Sequence, residues 1–239
     1  MTRTKKRGGT IFSLAITIAL LCLMTAVIIP GVSANNATAV NLGTTTNFAV
    51  LASSEITDVP SSIITGDVGL SPAAGTFITG LTSPEVTGTI YTVDGTGPAN
   101  NVQNSTLLHQ AVLDMGTAYT AANGQVNPDY LNNGSAGEIG GQTLSPGLYK
   151  FTGASGNVNI NSAGVILSGT STDVWVFQIP GTLTSAASSQ VTLMNGALPQ
   201  NVFWVVTGAT TLGTNSEFSG TILDATGISM QTGATLNGR

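Results

Sequence analysis

The chain has 239 residues, of which 41% are hydrophobic and only 7% charged, with six Lys and Arg against eleven Asp and Glu for a net charge of −5. A charged fraction this far below the usual quarter or so of a soluble domain, with an acidic balance, excludes nucleic acid or an anionic membrane as the natural partner. One cysteine and one histidine leave no disulfide framework and no Cys/His metal set.

Residues 1–34 read as a signal peptide. Arg3, Lys5, Lys6 and Arg7 form a basic start, Ile11 to Ile29 is apolar apart from Ser13, Thr17 and Thr25, and Val32-Ser33-Ala34 is a small-x-small cleavage site after Pro30-Gly31. The alternative is an uncleaved anchor that holds the protein at the cell surface, since residues 11–30 are long enough to span a bilayer. Cys22 lies inside this stretch as an apolar filler. Without the segment, two basic residues (Lys150 and Arg239) face all eleven acids, a net charge of −9. Residues 35–239 then form one secreted, extracellular domain without cysteine, large enough to stand on its own core.

Along that domain, Phe48 to Ala52 is apolar nearly throughout, Glu55-Ile56-Thr57 alternates, and Ile63 to Val68 reads as a further strand. Pro72, Pro84, Pro98 and several glycines break the regularity between 71 and 98, which suggests a loop-rich insertion capping one end of the sheets. A helix is expected from about 99 to 122. Leu108, Ala111, Val112, Met115, Ala118, Tyr119 and Ala122 form one apolar stripe, and Gly124 is the stop. The lone His109 beside this stripe reads as a packing or solvated residue. After a loop with Pro128 and Gly140-Gly141, strands resume at Gly147–Phe151, Val158–Ile160, Val165–Leu167, Val174–Ile179, Thr182–Ser185 and Val191–Leu193.

The C-terminal stretch 201–238 carries an internal repeat. Slid along itself so that Leu212 falls on Met230, it also brings Thr214 onto Thr232, Phe218 onto Leu236 and Gly220 onto Gly238. A short period of this kind is that of stacked β-coils, each unable to bury its inward side chains alone. Two strand types recur. Val202 to Val206, Val174 to Phe177 and Phe48 to Ala52 lack polar alternation and so are buried on both sides. The strands after them alternate and bury one side. The expected architecture is mostly β, a three-sided solenoid interrupted in sequence by one helix that lies over the two-sided apolar strands.

Nine segments carry a family resemblance. Phe48-Ala-Val-Leu-Ala-Ser, Ile64-Thr-Gly-Asp-Val-Gly-Leu-Ser-Pro72, Asn127-Pro-Asp-Tyr-Leu, Gly137-Glu-Ile-Gly-Gly141, Leu144-Ser-Pro-Gly-Leu-Tyr-Lys-Phe151, Asp173-Val-Trp-Val-Phe-Gln-Ile179, Asn201-Val-Phe-Trp204, Thr211-Leu-Gly-Thr214 and Thr232-Gly-Ala-Thr-Leu-Asn-Gly238 resemble, in the same order, segments of secreted microbial ice-binding proteins. The resemblance covers essentially all of 35–239. It implies a right-handed discontinuous three-sided β-solenoid with one long α-helix packed along one face, and binding to ice crystals that inhibits growth and recrystallisation. That family usually runs past the position of Arg239 with at least one more strand, so a truncated chain or an open end is expected.

Ice binding suits the residues. Stacked strands repeat every 4.7–4.9 Å or so, near a repeat of oxygens in ice. Thr adds a stiff χ1, a methyl and a hydroxyl. The outward candidates on the strands that follow the two-sided ones are Thr57, Asn159, Asn161, Thr182, Thr184, Thr211, Gly213, Ser229 and Gln231, with Thr214 and Thr232 at the turn beyond. Thr207-Gly-Ala-Thr210 and Thr232-Gly-Ala-Thr235 resemble a short motif of some family members. Glu55 projects from the same face, where a carboxylate weakens docking. No metal, cofactor or nucleic acid is expected, the partner is an ice surface, and the chain is read as a monomer. Nothing supplies a nucleophile, base and orienter, so an enzyme is not expected. The competing reading is a cell-surface adhesin or envelope module on the same solenoid; it is disfavoured for polysaccharide because Trp175 and Trp204 lie on strands read as buried. Asn36, Asn104 and Asn133 head glycosylation triplets.

Overall fold

The computed structural model describes residues 35–59 and 62–239; the expected signal segment, with Cys22, lies outside the described residues. The chain winds as coils whose strands pair in parallel with those of the next coil. The N-terminal stack runs through β1 (Phe48–Ala52), β2 (Ile56–Thr57) and β3 (Ile64–Thr65), then β4 (Asp67–Leu70), β5 (Ile78–Thr79) and β6 (Val86–Thr87), and ends in β7 (Ile90–Thr92) and β8 (Val102–Gln103). Helix α1 (Ser105–Asn123) follows. A second stack starts with β9 (Tyr130–Leu131) and β10 (Thr143–Leu144). It continues through β11 (Gly147–Lys150), β12 (Val158–Ile160) and β13 (Val165–Ser168), and then β14 (Trp175–Ile179), β15 (Leu183–Ser185) and β16 (Val191–Met194). The last turns are β17 (Val202–Val206), β18 (Ala209–Leu212), β19 (Glu217–Asp224), β20 (Gly227–Met230) and β21 (Thr235–Gly238).

Three faces result. The first carries β1-β4-β7-β8 in one stack and β9, β11, β14, β17 and the second half of β19 in the other. The second carries β2-β5 and β12-β15-β18-β20; the third carries β3-β6, β10-β13-β16 and the first half of β19 with β21. Strand β19 turns the corner between the third and first faces in one run, at Gly220, whose φ of 120° needs glycine.

The first face is apolar on both sides because both sides are covered. Inward, Tyr149, Phe177, Trp204, Val206 and Ile222 build the solenoid core. Outward, Leu148, Val176, Phe203, Val205 and Leu223 pack with Ala118 and Ala122 of α1 and with Val40 and Leu42 of the lead-in. The same helix covers Phe48 of the N-terminal stack through Leu108 and Ala111. Alanines at the contact let the helix approach the sheet closely. Gln178, an outward polar residue on β14, is buried because its side-chain amide has a task there. Its Nε2 donates to the carbonyls of Ala122, Asn123 and Gln125 at 2.9–3.0 Å, closing the free carbonyl end of the helix.

Two expectations need correction. The helix begins at Ser105 rather than near 99, because β8 pairs with β7 and Asn104 caps the helix, its Oδ1 accepting from Leu107 N at 3.0 Å. Residues 71–98 are no irregular insertion. Ile78-Thr79 pairs with Ile56-Thr57 and Val86-Thr87 with Ile64-Thr65, so this stretch is a second coil stacked on the first. Its two-residue strands are too short for alternation to reveal. His109 is exposed on the helix, in keeping with a solvated residue.

Acidic side chains staple the loops. Glu85 accepts from the Thr82 hydroxyl and amide and from Ser62 N, Asp94 from Gly75 N and Thr96, and Asp114 from Thr44 N, the Thr44 hydroxyl and Gln110. These bonds favour the charged form and hold all three carboxyls below their ordinary values, through the Thr82 hydroxyl, the Gly75 amide and the Thr44 amide foremost. A depressed folded-state value means stability that is complete above the unfolded carboxyl range, about pH 4, and lost as pH falls through the folded values. Thermal unfolding followed by circular dichroism should therefore give a midpoint that is level from about pH 8 to 5 and falls below about pH 4. A level midpoint down to about pH 2.5 would show that these staples contribute nothing.

Candidate functional site

The second face of the C-terminal stack is one continuous sheet, β12-β15-β18-β20, that the helix leaves bare. Its strands are in strict register: Asn159 lies opposite Thr184, Thr184 opposite Thr211, and Thr211 opposite Ser229. On either side of this row, Val158, Leu183 and Thr210, and Ile160, Ser185 and Leu212, point inward and are buried. The row thus stands outward by alternation, with ranks about 4.8 Å apart. Thr182 is exposed one residue before Leu183, its amide held by Asn157 Oδ1 at 3.0 Å. Ala209 and Gly227 are paired and exposed along the same edge. None of these residues carries a charge.

Of the eleven candidates, the structure brings together Asn159, Thr182, Thr184, Thr211 and Ser229. The others stand elsewhere. Thr57 is exposed on the N-terminal stack and pairs with Thr79, their hydroxyls 3.4 Å apart, in a sheet of its own. Exposed Glu55 and Phe77 precede that pair. Asn161 sits in the turn after β12, where its Oδ1 accepts from Ala163 N at 2.9 Å. Gly213 is buried at the corner after β18, and a Cβ there would meet Ser185 O at 2.6 Å. Thr214 and Gln231 bind each other beyond the corner, the Thr214 amide and hydroxyl both 3.2 Å from Gln231 Oε1. Thr232 is exposed in the same turn column, its carbonyl accepting from Asn215 N. For all of these but Thr57, which stands within a ladder of the N-terminal stack, the reason is that alternation stops where the ladder stops, at Ile160, Leu212 and Met230.

Three residues escape the sequence reading. Ala209 and Gly227 are within reach of the same offset that places Leu212 on Met230. Thr79 is hidden by the irregular look of its coil, although the Ile78-Thr79 pair repeats Ile56-Thr57 and is a usable signal. The motif Thr207-Gly-Ala-Thr210 divides in the structure: Thr207 is exposed at the corner between first and second faces, and Thr210 is wholly buried. Its partner motif keeps both Thr232 and Thr235 exposed. The amides of all three glycosylation triplets are engaged, Asn36 with Asn127 and Asp129, Asn133 with Gln142, and Asn104 as the helix cap.

The chain has clear relatives. A family model described as Ice-binding-like matches residues 50–239. An ice-binding protein of Flavobacterium frigoris (strain PS1) is 51% identical over 200 residues, which cover 84% of this chain and 70% of that protein. One from Colwellia sp. is 48% identical over 202 residues, 84% of this chain and 78% of that one. Among solved structures, an ice-binding protein from an Arctic yeast, studied for the basis of its antifreeze activity, superposes with a TM-score of 0.77 at 41% identity, covering 84% of this chain and 87% of that one.

Proposed function

The chain belongs to the ice-binding-like family, and from that premise we propose that it binds ice crystals through the second face of its C-terminal stack, inhibiting ice growth and recrystallisation. The observation that carries the site is the in-register outward row Asn159, Thr184, Thr211 and Ser229 with Thr182 at its edge, uncharged and regular at the strand repeat. Such a row can hold water in ordered ranks, with the threonine methyls limiting the tilt of the hydroxyls; the one carboxylate in register with it, Glu138 beyond Asn159, is turned onto the Gly140 and Asn161 amides. The first face is closed by the helix. The third face is less uniform: its outward row is Thr143, Ile166 and Thr192, with Glu217 exposed beyond. The basic start and apolar run before Asn35 support export to the outside of the cell, and the protein acts there as a monomer on ice.

The face assignment is tested by uptake of labelled protein into a slowly growing ice hemisphere. The parent enters the ice, and so does a third-face variant, Thr143→Tyr/Thr192→Tyr. Exclusion of that folded variant, with the second-face variant Thr184→Tyr/Thr211→Tyr still taken up, would move the site to the third face. Exclusion of the folded parent would sink the ice-binding reading.

A further inference from the structure

We propose that Asp224 is a positioning residue for the β20 rank of the ice-binding face, and that Thr210 serves this internal device rather than the ice surface. The inference rests on the second face being the one that binds. Strand β20 supplies Ser229 to the outward row; among the described residues it pairs within its sheet with β18 alone, and all four of its residues are exposed. One ladder does not fix where such a strand begins. Asp224 does. It stands half-buried at the end of β19, and its Oδ1 accepts from Thr226 N at 2.7 Å and Gly227 N at 2.6 Å, which folds the turn that starts β20. Its Oδ2 accepts from the Thr210 hydroxyl at 2.6 Å. Thr210 faces inward on β18, in register with Leu183 on one side and Ile228 on the other.

The carboxylate therefore locks the start of β20 to the middle of β18 by three short hydrogen bonds to a charged acceptor, the stronger class of such bonds. The corner is tied further. The Thr226 hydroxyl donates to Thr207 O at 2.9 Å, and the Thr207 hydroxyl lies 3.0 Å from Tyr119 OH on the helix. A connected path of polar contacts thus runs from the helix over the corner to the edge of the second face. It explains why the second threonine of Thr207-Gly-Ala-Thr210 is turned inside: its hydroxyl completes the Asp224 site. Loss of Asp224 leaves the solenoid core untouched, since Phe218 and Ile222 hold β19 in place, but frees β20 to fray and removes Ser229 from its place beside Thr211.

The test compares the parent with Asp224→Ala, Asp224→Asn and Thr210→Val in two measurements, recrystallisation inhibition and amide hydrogen exchange resolved by strand. Asparagine can still accept from both turn amides and donate to Thr210, so Asp224→Asn should stay close to the parent. Asp224→Ala should need about fivefold more protein for the same inhibition, the change expected from one hydrogen-bonded staple of ordinary strength. Its Ser229 and Gln231 amides should exchange faster while Thr184 and Ser185 stay protected; Thr210→Val should fall between. Parent-like activity in a folded Asp224→Ala, slow exchange in its β20, or an Asp224→Asn as poor as the alanine variant would each overturn the proposal. If the parent itself is inactive on ice, the ice-binding reading falls, and the exchange contrast alone still decides whether Asp224 holds β20.

Discussion

Replacing Thr184 and Thr211 together by tyrosine is expected to raise the protein concentration needed for recrystallisation inhibition by roughly tenfold or more, equivalent to about 1.4 kcal/mol of adsorption free energy. The two threonines are neighbours in the central outward row, paired residue to residue across β15 and β18. Tyrosine rings there stand well above Asn159 and Ser229 and hold the rest of the row off a flat surface. Their hydroxyls lie at the ends of long, movable side chains rather than in fixed ranks. Strand structure should survive, because tyrosine is a good strand residue and both positions are outward. The core residues beside them, Leu183, Ser185, Thr210 and Leu212, are untouched. Circular dichroism and the unfolding midpoint should match the parent. A folded variant with full activity would remove this row from the ice contact. A variant with lost activity and a midpoint lowered by many degrees would report damage to the fold and would have to be replaced by Thr184→Val/Thr211→Val.

The parts of this architecture that are readable from sequence are those where a single strand carries its own signature. Val202 to Val206 and Trp175 to Ile179 lack polar alternation, except at Gln178, and they are the strands buried between core and helix. The offset read in the C-terminal stretch pairs Leu212 with Met230, Phe218 with Leu236 and Gly220 with Gly238, and the ladder pairs the same residues. The offset is not constant, because loops at the corners differ in length. Gly147 pairs with Trp175 and Trp175 with Val202, both wider separations than that from Leu212 to Met230. Strands of only two residues, as in the N-terminal coils, then offer neither alternation nor a fixed period to find them by.

The same limit applies to the site. Within a strand, alternation puts Asn159, Thr184, Thr211 and Ser229 on one outward row, and the ladder aligns them so. Extended one residue past the ladder it places Gly213 outside, whereas the chain has already turned and buried it. Gln178 and Asp224 are not legible at all. Each acts through groups that meet only in the folded chain: Gln178 with the end of the helix some 53–56 positions away, and Asp224 with Thr210 on the coil before it. Polar residues whose task is to satisfy distant backbone look, in sequence, like any other surface residue.

The second large effect concerns the core and separates stability from binding. Trp204→Ala should destabilise the domain by about 3–5 kcal/mol, the usual cost of emptying a fully buried Trp site. Trp204 is completely buried on the inward side of β17. It stacks on Phe177 with ring centres 4.0 Å apart and planes 7° from parallel, and meets Phe218 at 5.0 Å. Phe177 in turn stacks on Tyr149 at 4.9 Å, and Tyr149 on Tyr130 at 4.3 Å, so one aromatic column runs through successive turns. Burial pushes the Tyr149 hydroxyl pKa up. The indole also donates to Ser219 O at 3.0 Å, and Gly220 leaves it room, since a Cβ there would lie 2.8 Å from Nε1. Alanine breaks the column and leaves that carbonyl without its donor. At about 2–4 °C per kcal/mol for a domain of this size, the midpoint should drop by roughly 6–20 °C. Near 0 °C the variant should remain folded and still inhibit recrystallisation, because no outward residue of the second face has changed. A drop below about 1 kcal/mol, small for any buried large-to-small change, would show that the column is not what holds the coils together. Loss of ice activity from a variant still folded in the cold would mean that the order of the outward row depends on the core beneath it.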